Sequence, residues 1–196
     1  MYRMTSKLQG HTVSEGISQA KARRKAATPS PGSHSAATNG HARAEPAAGG
    51  RRIQVRRSGV HGKGVFALQP IAKGEVLIEY KGQRISWEEA LDRHPHDPEQ
   101  PDHTFYFHVD EGYVIDANVN GNAARWINHA CSPNCEADEV DGRVFIKARK
   151  AIKAGDELFY DYGLVIDERY TPALKKRFEC RCGTRGCRGT MLSPKR

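Results

Sequence analysis

Three cysteines crowd the C-terminal end of this 196-residue chain, in the run Cys180-Arg181-Cys182-Gly183-Thr184-Arg185-Gly186-Cys187. Three thiols so close together, with Gly183 and Gly186 letting the backbone fold tightly around a centre, have the chemistry of a tetrahedral zinc site. A structural zinc takes four ligands, so one thiolate must come from elsewhere, and Cys131 and Cys135 are the two cysteines left. Binding would release thiol protons and stabilise a segment too small to bury a core of its own. Arg181, Arg185 and Arg188 partly offset the charge of a four-thiolate centre. An odd cysteine count of five, with no apolar export signal, argues for reduced thiols or a metal rather than a disulfide framework.

The elements that would carry these residues are short. Ile53–Arg56, Gly64–Leu68 and Glu75–Tyr80 read as strands, with turns at Gly59–Gly62 and Ala72–Gly74. Ser86 is placed to cap a helix, with Glu89 three residues on to close a capping box, and the helix should stop by His94-Pro95. His96–His103 reads as a polar loop. Phe105–Val109 and Tyr113–Ile115 read as a hairpin around Asp110-Glu111-Gly112, and Asn122–Asn128 as one short helix. Arg143–Ala148 and Glu157–Tyr162 are the last strands, and Thr171–Phe178 a short basic helix. Many short strands with little helix imply a mainly-β domain with minor helices.

Charge divides along the chain. Residues 1–50 carry seven basic and two acidic side chains, 169–196 nine and one, and 51–168 fifteen and twenty. Two basic ends flank an acidic body, so the net charge of +8 is no general nucleic-acid signature. Residues 1–50 are poor in large apolar side chains and read as a disordered basic tail; Lys21-Ala22-Arg23-Arg24-Lys25 within it suits a solvated linker, an import-like patch or a weak nucleic-acid contact. No uncharged apolar run approaches the roughly 20 residues of a membrane helix. Glu136, Asp138, Glu139 and Asp141, with Asp97, Glu99 and Asp102, read as solvated loops or as an attractant for a basic peptide.

The run Gly121-Asn122-Ala123-Ala124-Arg125-Trp126-Ile127-Asn128-His129-Ala130-Cys131-Ser132-Pro133-Asn134-Cys135 resembles the central motif of SET-domain protein-lysine methyltransferases. Three more pieces agree in order. Val60-His61-Gly62-Lys63-Gly64-Val65-Phe66-Ala67 resembles that family's first cofactor-contacting turn. Glu157-Leu158-Phe159-Tyr160-Asp161-Tyr162-Gly163 resembles its catalytic strand, and Cys180–Cys187 with Arg188-Gly189 its post-SET zinc segment. The resemblance implies small β-sheets around a pseudoknot, a SET domain over 51–168 and a post-SET zinc segment over 169–196. It implies S-adenosylmethionine as methyl donor and a peptidyl lysine as acceptor, and it assigns the fourth zinc ligand to Cys131, leaving Cys135 a free thiol.

An ammonium has no lone pair, so methyl transfer to lysine needs the neutral amine. A desolvated aromatic channel lowers lysine pKa, and tyrosines can wall the channel while their hydroxyls fix the amine. By resemblance Tyr162 is the catalytic tyrosine, Tyr80 the second channel tyrosine, Phe107 a channel wall, and Tyr160 the Phe/Tyr switch position. A hydroxyl at Tyr160 would hold a water where an added methyl needs room, which implies mainly monomethylation. His61, Gly62, Lys63, Gly64, Phe105, Arg125, Trp126, Asn128 and His129 are the implied cofactor contacts; Cys131, Cys180, Cys182 and Cys187 the implied zinc ligands. Ala130 stands where the family commonly has serine, and Met191 or Leu192 where some relatives lay an aromatic over the channel.

The implied substrate is a basic protein: a histone, a histone-like DNA-packaging protein or a ribosomal protein. The chain is read as a monomer, away from membranes and intracellular: cytoplasmic or nucleoid-associated in a bacterium, the side favoured by so spare a chain, and nuclear or chromosomal in a eukaryote. The competing readings are a catalytically silent zinc-stabilised module binding peptide or DNA, and an enzyme acting on its own Lys21 or Lys25.

Overall fold

Alternating apolar and polar residues build the first hairpin, in which β1 (Ile53–Arg57) and β2 (Lys63–Ala67) pair antiparallel with Val55 opposite Val65. The computed structural model describes residues 50–94, 104–110 and 112–194, and those from Arg51 onward belong to one compact unit. β3 (Val76–Tyr80) and β4 (Gln83–Ser86) lead into α1 (Trp87–Arg93). Ser86 caps that helix, its Oγ accepting from the Glu89 N–H at 3.0 Å, a contact worth about 1 kcal/mol. The reciprocal half of the expected capping box is not made: the Glu89 carboxylate turns instead to Arg93, one helical turn on.

β5 (Tyr106–Asp110) and β6 (Tyr113–Asp116) form the expected hairpin, and β4 adds to its far side, giving the order β4-β6-β5. β4 joins the sheet through Ile85, which is buried with Ala90, Tyr106 and Val114 in a small cluster under Trp87. The expected helix over Asn122–Asn128 is only a 3₁₀ turn, Ala123–Trp126, capped by the Asn122 side chain. It stops because Asn128–His129 (β7) is pulled into parallel pairing with Phe159–Tyr160. Tertiary pairing here outweighs a weak local helical preference.

β8 (Cys135–Val140) and β9 (Arg143–Ala148) are joined by Asp141 and Gly142 alone, both at positive φ (51° and 70°). That is the geometry of a tight two-residue hairpin. β8 corrects the loop reading of the acidic run: Glu136 and Asp138 project from one face of a strand and flank Lys147 at 3.4 and 3.0 Å. Asp97, Glu99 and Asp102, the tail with Lys21 and Lys25, and the loop 96–103 lie outside the described residues. β9 pairs with β3 on its other edge, so the third sheet runs β3-β9-β8. The expected strand Glu157–Tyr162 narrows to β10 (Phe159–Tyr160), whose strand partner among the described residues is β7.

Val65, Phe107, Ile127, Val144, Ile146 and Leu158, each no more than 1% exposed, knit these sheets into the main core. Each such side chain contributes about 1.5–3 kcal/mol of burial. Downstream, α2 (Pro172–Arg177) is capped by Thr171 and has Pro172 in its first turn. Leu174 and Phe178 pack with Leu164, Ile166 and Leu192 in a separate small core. Residues from both sides of position 168 therefore share it. No described helix is long and apolar enough to cross a membrane.

Candidate active site and metal centre

The aromatic residues singled out in the sequence meet ring to ring. Tyr80, at the end of β3, packs on Phe107 of β5 at 5.3 Å between centroids; Phe107 faces Tyr160 of β10 at 6.3 Å, and Tyr160 faces Tyr162 at 4.9 Å. The Tyr80 hydroxyl donates to the Phe105 carbonyl at 3.1 Å and the Tyr162 hydroxyl to the Ile127 carbonyl at 3.0 Å. The Tyr160 hydroxyl has no protein hydrogen-bond partner among the described residues. Burial drives all three phenols well above their ordinary range. They stay protonated at neutral pH, so they act as hydrogen-bonding hydroxyls and apolar walls, not as proton-abstracting bases.

A second cluster lies against the first, one residue along β7. The Asn128 side-chain N–H₂ donates to the carbonyls of His61 and Lys63, at 3.3 and 2.9 Å, and to Glu157 Oε1 at 3.0 Å. It thereby binds the turn before β2 to the segment before β10. Lys63 Nζ sits over the Trp126 ring at 4.5 Å, the Arg125 guanidinium over the same ring at 4.6 Å, and Phe105 meets Trp126 edge-on at 5.0 Å. Gly62 adopts φ +46° in the turn. Gly64 allows a close approach: a Cβ there would overlap Glu157 Oε1 and stand 2.8 Å from its Cδ. His61, Gly62, Lys63, Gly64, Phe105, Arg125, Trp126 and Asn128 thus form one connected patch.

His129 joins this patch to the metal centre. Its Nδ1 accepts from the Tyr162 N–H at 3.2 Å, which places the ring proton on Nε2, 3.5 Å from Cys131 Sγ. Burial lowers its pKa to about 4, so the neutral ring is the working form. Cys131, Cys180, Cys182 and Cys187 have all four sulfurs within 4.8 Å of one another. Cys131 Sγ is 3.6 Å from Cys180 Sγ and 3.9 Å from Cys187 Sγ. A zinc tetrahedron with Zn–S near 2.3 Å requires sulfurs about 3.8 Å apart, so the quartet fits that ion. Burial pushes the Cys180 thiol up, whereas at Cys182 hydrogen bonds to Thr184 outweigh burial and bring it down to about 6. Cys135 is elsewhere, fully buried in the main core, its thiol pushed up to about 12 by that burial. Met191 and Leu192 pack in the small C-terminal core.

Two polar residues inside recognised motifs do work that the sequence reading did not assign. Asn134 donates to the Glu157 carbonyl and accepts from the Phe159 N–H, both at 2.8 Å, so one side chain stands in for a strand at the edge of β10. Asp161, between Tyr160 and Tyr162, receives a two-pronged contact from Arg188 at 2.7 and 2.9 Å. Burial raises the Asp161 pKa, but the Arg188 hydrogen bonds more than offset this and hold it below the usual carboxylate range. The Arg188 N–H also points at Cys131 Sγ, at 3.4 Å. Opposite charges flanking a ligand cysteine and a motif tyrosine were the available signal.

Comparison with known proteins agrees with this geometry. The SET domain family model matches residues 62–163. Among curated relatives, "Histone-lysine N-methyltransferase set-2" of Caenorhabditis elegans is 37% identical over 144 residues, covering 71% of this chain and 9% of that one. "Histone-lysine N-methyltransferase, H3 lysine-4 specific" of Candida albicans is 40% identical over 142 residues, covering 70% and 13%. The chain thus spans about a tenth of the length of these relatives. Among solved structures, a polycomb repressive complex 2 chain described as autoinhibited and bound to S-adenosylmethionine superposes with a TM-score of 0.53 at 35% identity, covering 59% of this chain and 15% of that one. The Chaetomium thermophilum polycomb repressive complex 2 gives 0.54 at 32%, covering 63% and 16%. A glycine turn, an aromatic run and a four-cysteine centre, met in the family's order and matched over more than half its length, place this chain in the SET-domain family.

Proposed function

We propose that the chain is a protein-lysine N-methyltransferase, moving a methyl group from S-adenosylmethionine to the ε-amine of a lysine in a histone tail. The observation that carries this reading is the lock formed by three consecutive residues. The Ile127 carbonyl takes the Tyr162 hydroxyl, the Asn128 amide takes the turn at His61 and Lys63, and His129 takes the Tyr162 N–H. An aromatic wall suited to a lysine is thereby fixed against a turn suited to a nucleoside-bearing methionine.

When bound, S-adenosylmethionine supplies a methyl group on a sulfonium leaving group. His61, Gly62, Lys63, Gly64, Phe105, Arg125, Trp126, Asn128 and His129 are the residues that would hold it. Tyr80, Phe107, Tyr160 and Tyr162 strip water from the lysine and favour its neutral amine. The Tyr80 and Tyr162 hydroxyls each spend their proton on a backbone carbonyl, which leaves oxygen lone pairs to accept from the amine N–H and aim its own lone pair. Zinc on Cys131, Cys180, Cys182 and Cys187 is structural, tying the C-terminal segment to β7.

Tyr160 supports the narrower reading of monomethylation, because its hydroxyl is not committed to the protein and can hold a water in the channel. The histone H3 tail is the substrate to try first, given the printed specificity of the Candida relative. Relatives from animals and a fungus favour the chromosomal side of the expected location over the bacterial one.

The test is radiolabelled methyl transfer to core histones, to a basic DNA-packaging protein and to the enzyme alone. Tyr162→Phe serves as the control, with its S-adenosylmethionine affinity measured separately. Labelling of histone H3 that the substitution abolishes without loss of binding supports the proposal. Tight cofactor binding with no labelling of any acceptor would favour a silent binding module instead.

A further inference from the structure

Glu157 is a charged member of the site that has no cationic partner among the described residues. Its carboxylate is half-buried just ahead of β10, with Oε1 accepting from the Asn128 amide at 3.0 Å. Among the described residues no lysine, arginine or histidine lies within ion-pair distance of it. Two cations of the patch, Lys63 and Arg125, both lie over the Trp126 ring instead. The position is enforced from two sides. Asn134 clamps the Glu157 carbonyl, and the missing side chain at Gly64 is what makes room for the carboxylate.

A carboxylate without a counter-charge attracts a cation bound close to it more than a neutral group in the same place. Two species would alternate in this patch: S-adenosylmethionine, with a positive sulfonium, and its demethylated product S-adenosylhomocysteine, a neutral thioether. They are otherwise the same molecule. We propose that Glu157 supplies the counter-charge that makes the pocket prefer the cationic methyl donor over the neutral product, so that loss of the methyl group itself weakens the hold on what remains. The proposal rests on the methyltransferase reading above.

The test is calorimetric binding of S-adenosylmethionine and S-adenosylhomocysteine to the zinc-loaded full chain, as wild type, Glu157→Gln and Glu157→Asp. Glutamine keeps an oxygen for the Asn128 amide but removes the charge; aspartate keeps the charge. With an effective dielectric near 40, between that of a protein surface and bulk water, and a separation of about 6 Å, the charge is worth about tenfold in affinity. Glu157→Gln should therefore raise the ratio of the donor's Kd to the product's Kd about tenfold. Glu157→Asp should leave that ratio within about twofold of wild type, even where both affinities fall. Equal weakening of both ligands by Glu157→Gln, or no change, would overturn the proposal while leaving the methyltransferase reading intact. Binding of neither ligand by wild type would overturn both. Should Glu157→Gln not fold, Glu157→Asn read against Glu157→Asp makes the same comparison.

Discussion

The Asp161–Arg188 pair joins the zinc segment to the stretch that carries Tyr160 and Tyr162, and its contribution can be worked from the structure. The contact is two-pronged at 2.7 and 2.9 Å, and the side chains are 22% and 24% exposed. Fully exposed pairs couple by about 0.2–1 kcal/mol, while removing one partner of a fully buried pair costs about 3–5 kcal/mol. At roughly a quarter exposure the expected values lie between: a coupling of about 1.5 kcal/mol and a cost of about 2–3 kcal/mol for Arg188→Ala. For a folded unit of this size that is a fall in Tm of about 6–10 °C. The assay is a double-mutant cycle of Arg188→Ala and Asp161→Asn by chemical denaturation in zinc-replete buffer, with zinc content measured for every variant. The same pair has a pH signature. The Asp161 pKa is lowered by folding, so its stabilisation is present above the unfolded carboxyl value near 4 and is lost as pH falls through the lower folded value. The stability gap between wild type and Asp161→Asn should therefore shrink below about pH 4. A coupling under about 0.3 kcal/mol, with zinc retained in all variants, would refute the reasoning.

Tyr160→Phe removes the one channel hydroxyl not committed to a protein partner; mass spectrometry of the product should show the balance moving from monomethyl- toward di- and trimethyl-lysine. Cys187→Ser breaks the sulfur quartet, so bound zinc should be lost and protease should cut the C-terminal segment while the main core survives. Thiol labelling after chelation should modify the half-buried Cys182 first and Cys135 only on unfolding, because the Cys182 thiol is brought down to about 6 while Cys135 is fully buried and pushed up to about 12.

Much of the site was legible because its chemistry is local in sequence. Residues 127–131 place a tyrosine acceptor, an amide, a histidine and a metal ligand in five consecutive positions, and the glycine turn and the Tyr160-Asp161-Tyr162 run are equally compact. Cys131 could be separated from Cys135 only through the family resemblance, since both are equally near the cluster in sequence; the fold separates them by sending Cys135 inward at the start of β8. The acidic run hid β8 because carboxylates are depleted in strands, although Cys135, Ala137 and the Asp141-Gly142 turn carried the period and the reversal. The short helix expected at Asn122–Asn128 failed for a non-local reason, the parallel pairing of β7 with a strand some thirty residues away. Glu157 was quoted within a motif without a role, and Arg188 only as an offset to the thiolate charge, because their partners, Asn128 and Asp161, are distant in sequence and only folding brings them together.

The central claim is methyl transfer to lysine, and one measurement tests it most directly. Zinc-loaded wild type and Tyr162→Phe are each incubated with S-adenosylmethionine and a histone H3 tail peptide, and the peptide is read by mass spectrometry with fragmentation. The account predicts a mass increment of one methyl group on a single lysine with wild type and none with Tyr162→Phe. An unmodified peptide with both, from protein shown to bind the methyl donor, would contradict it.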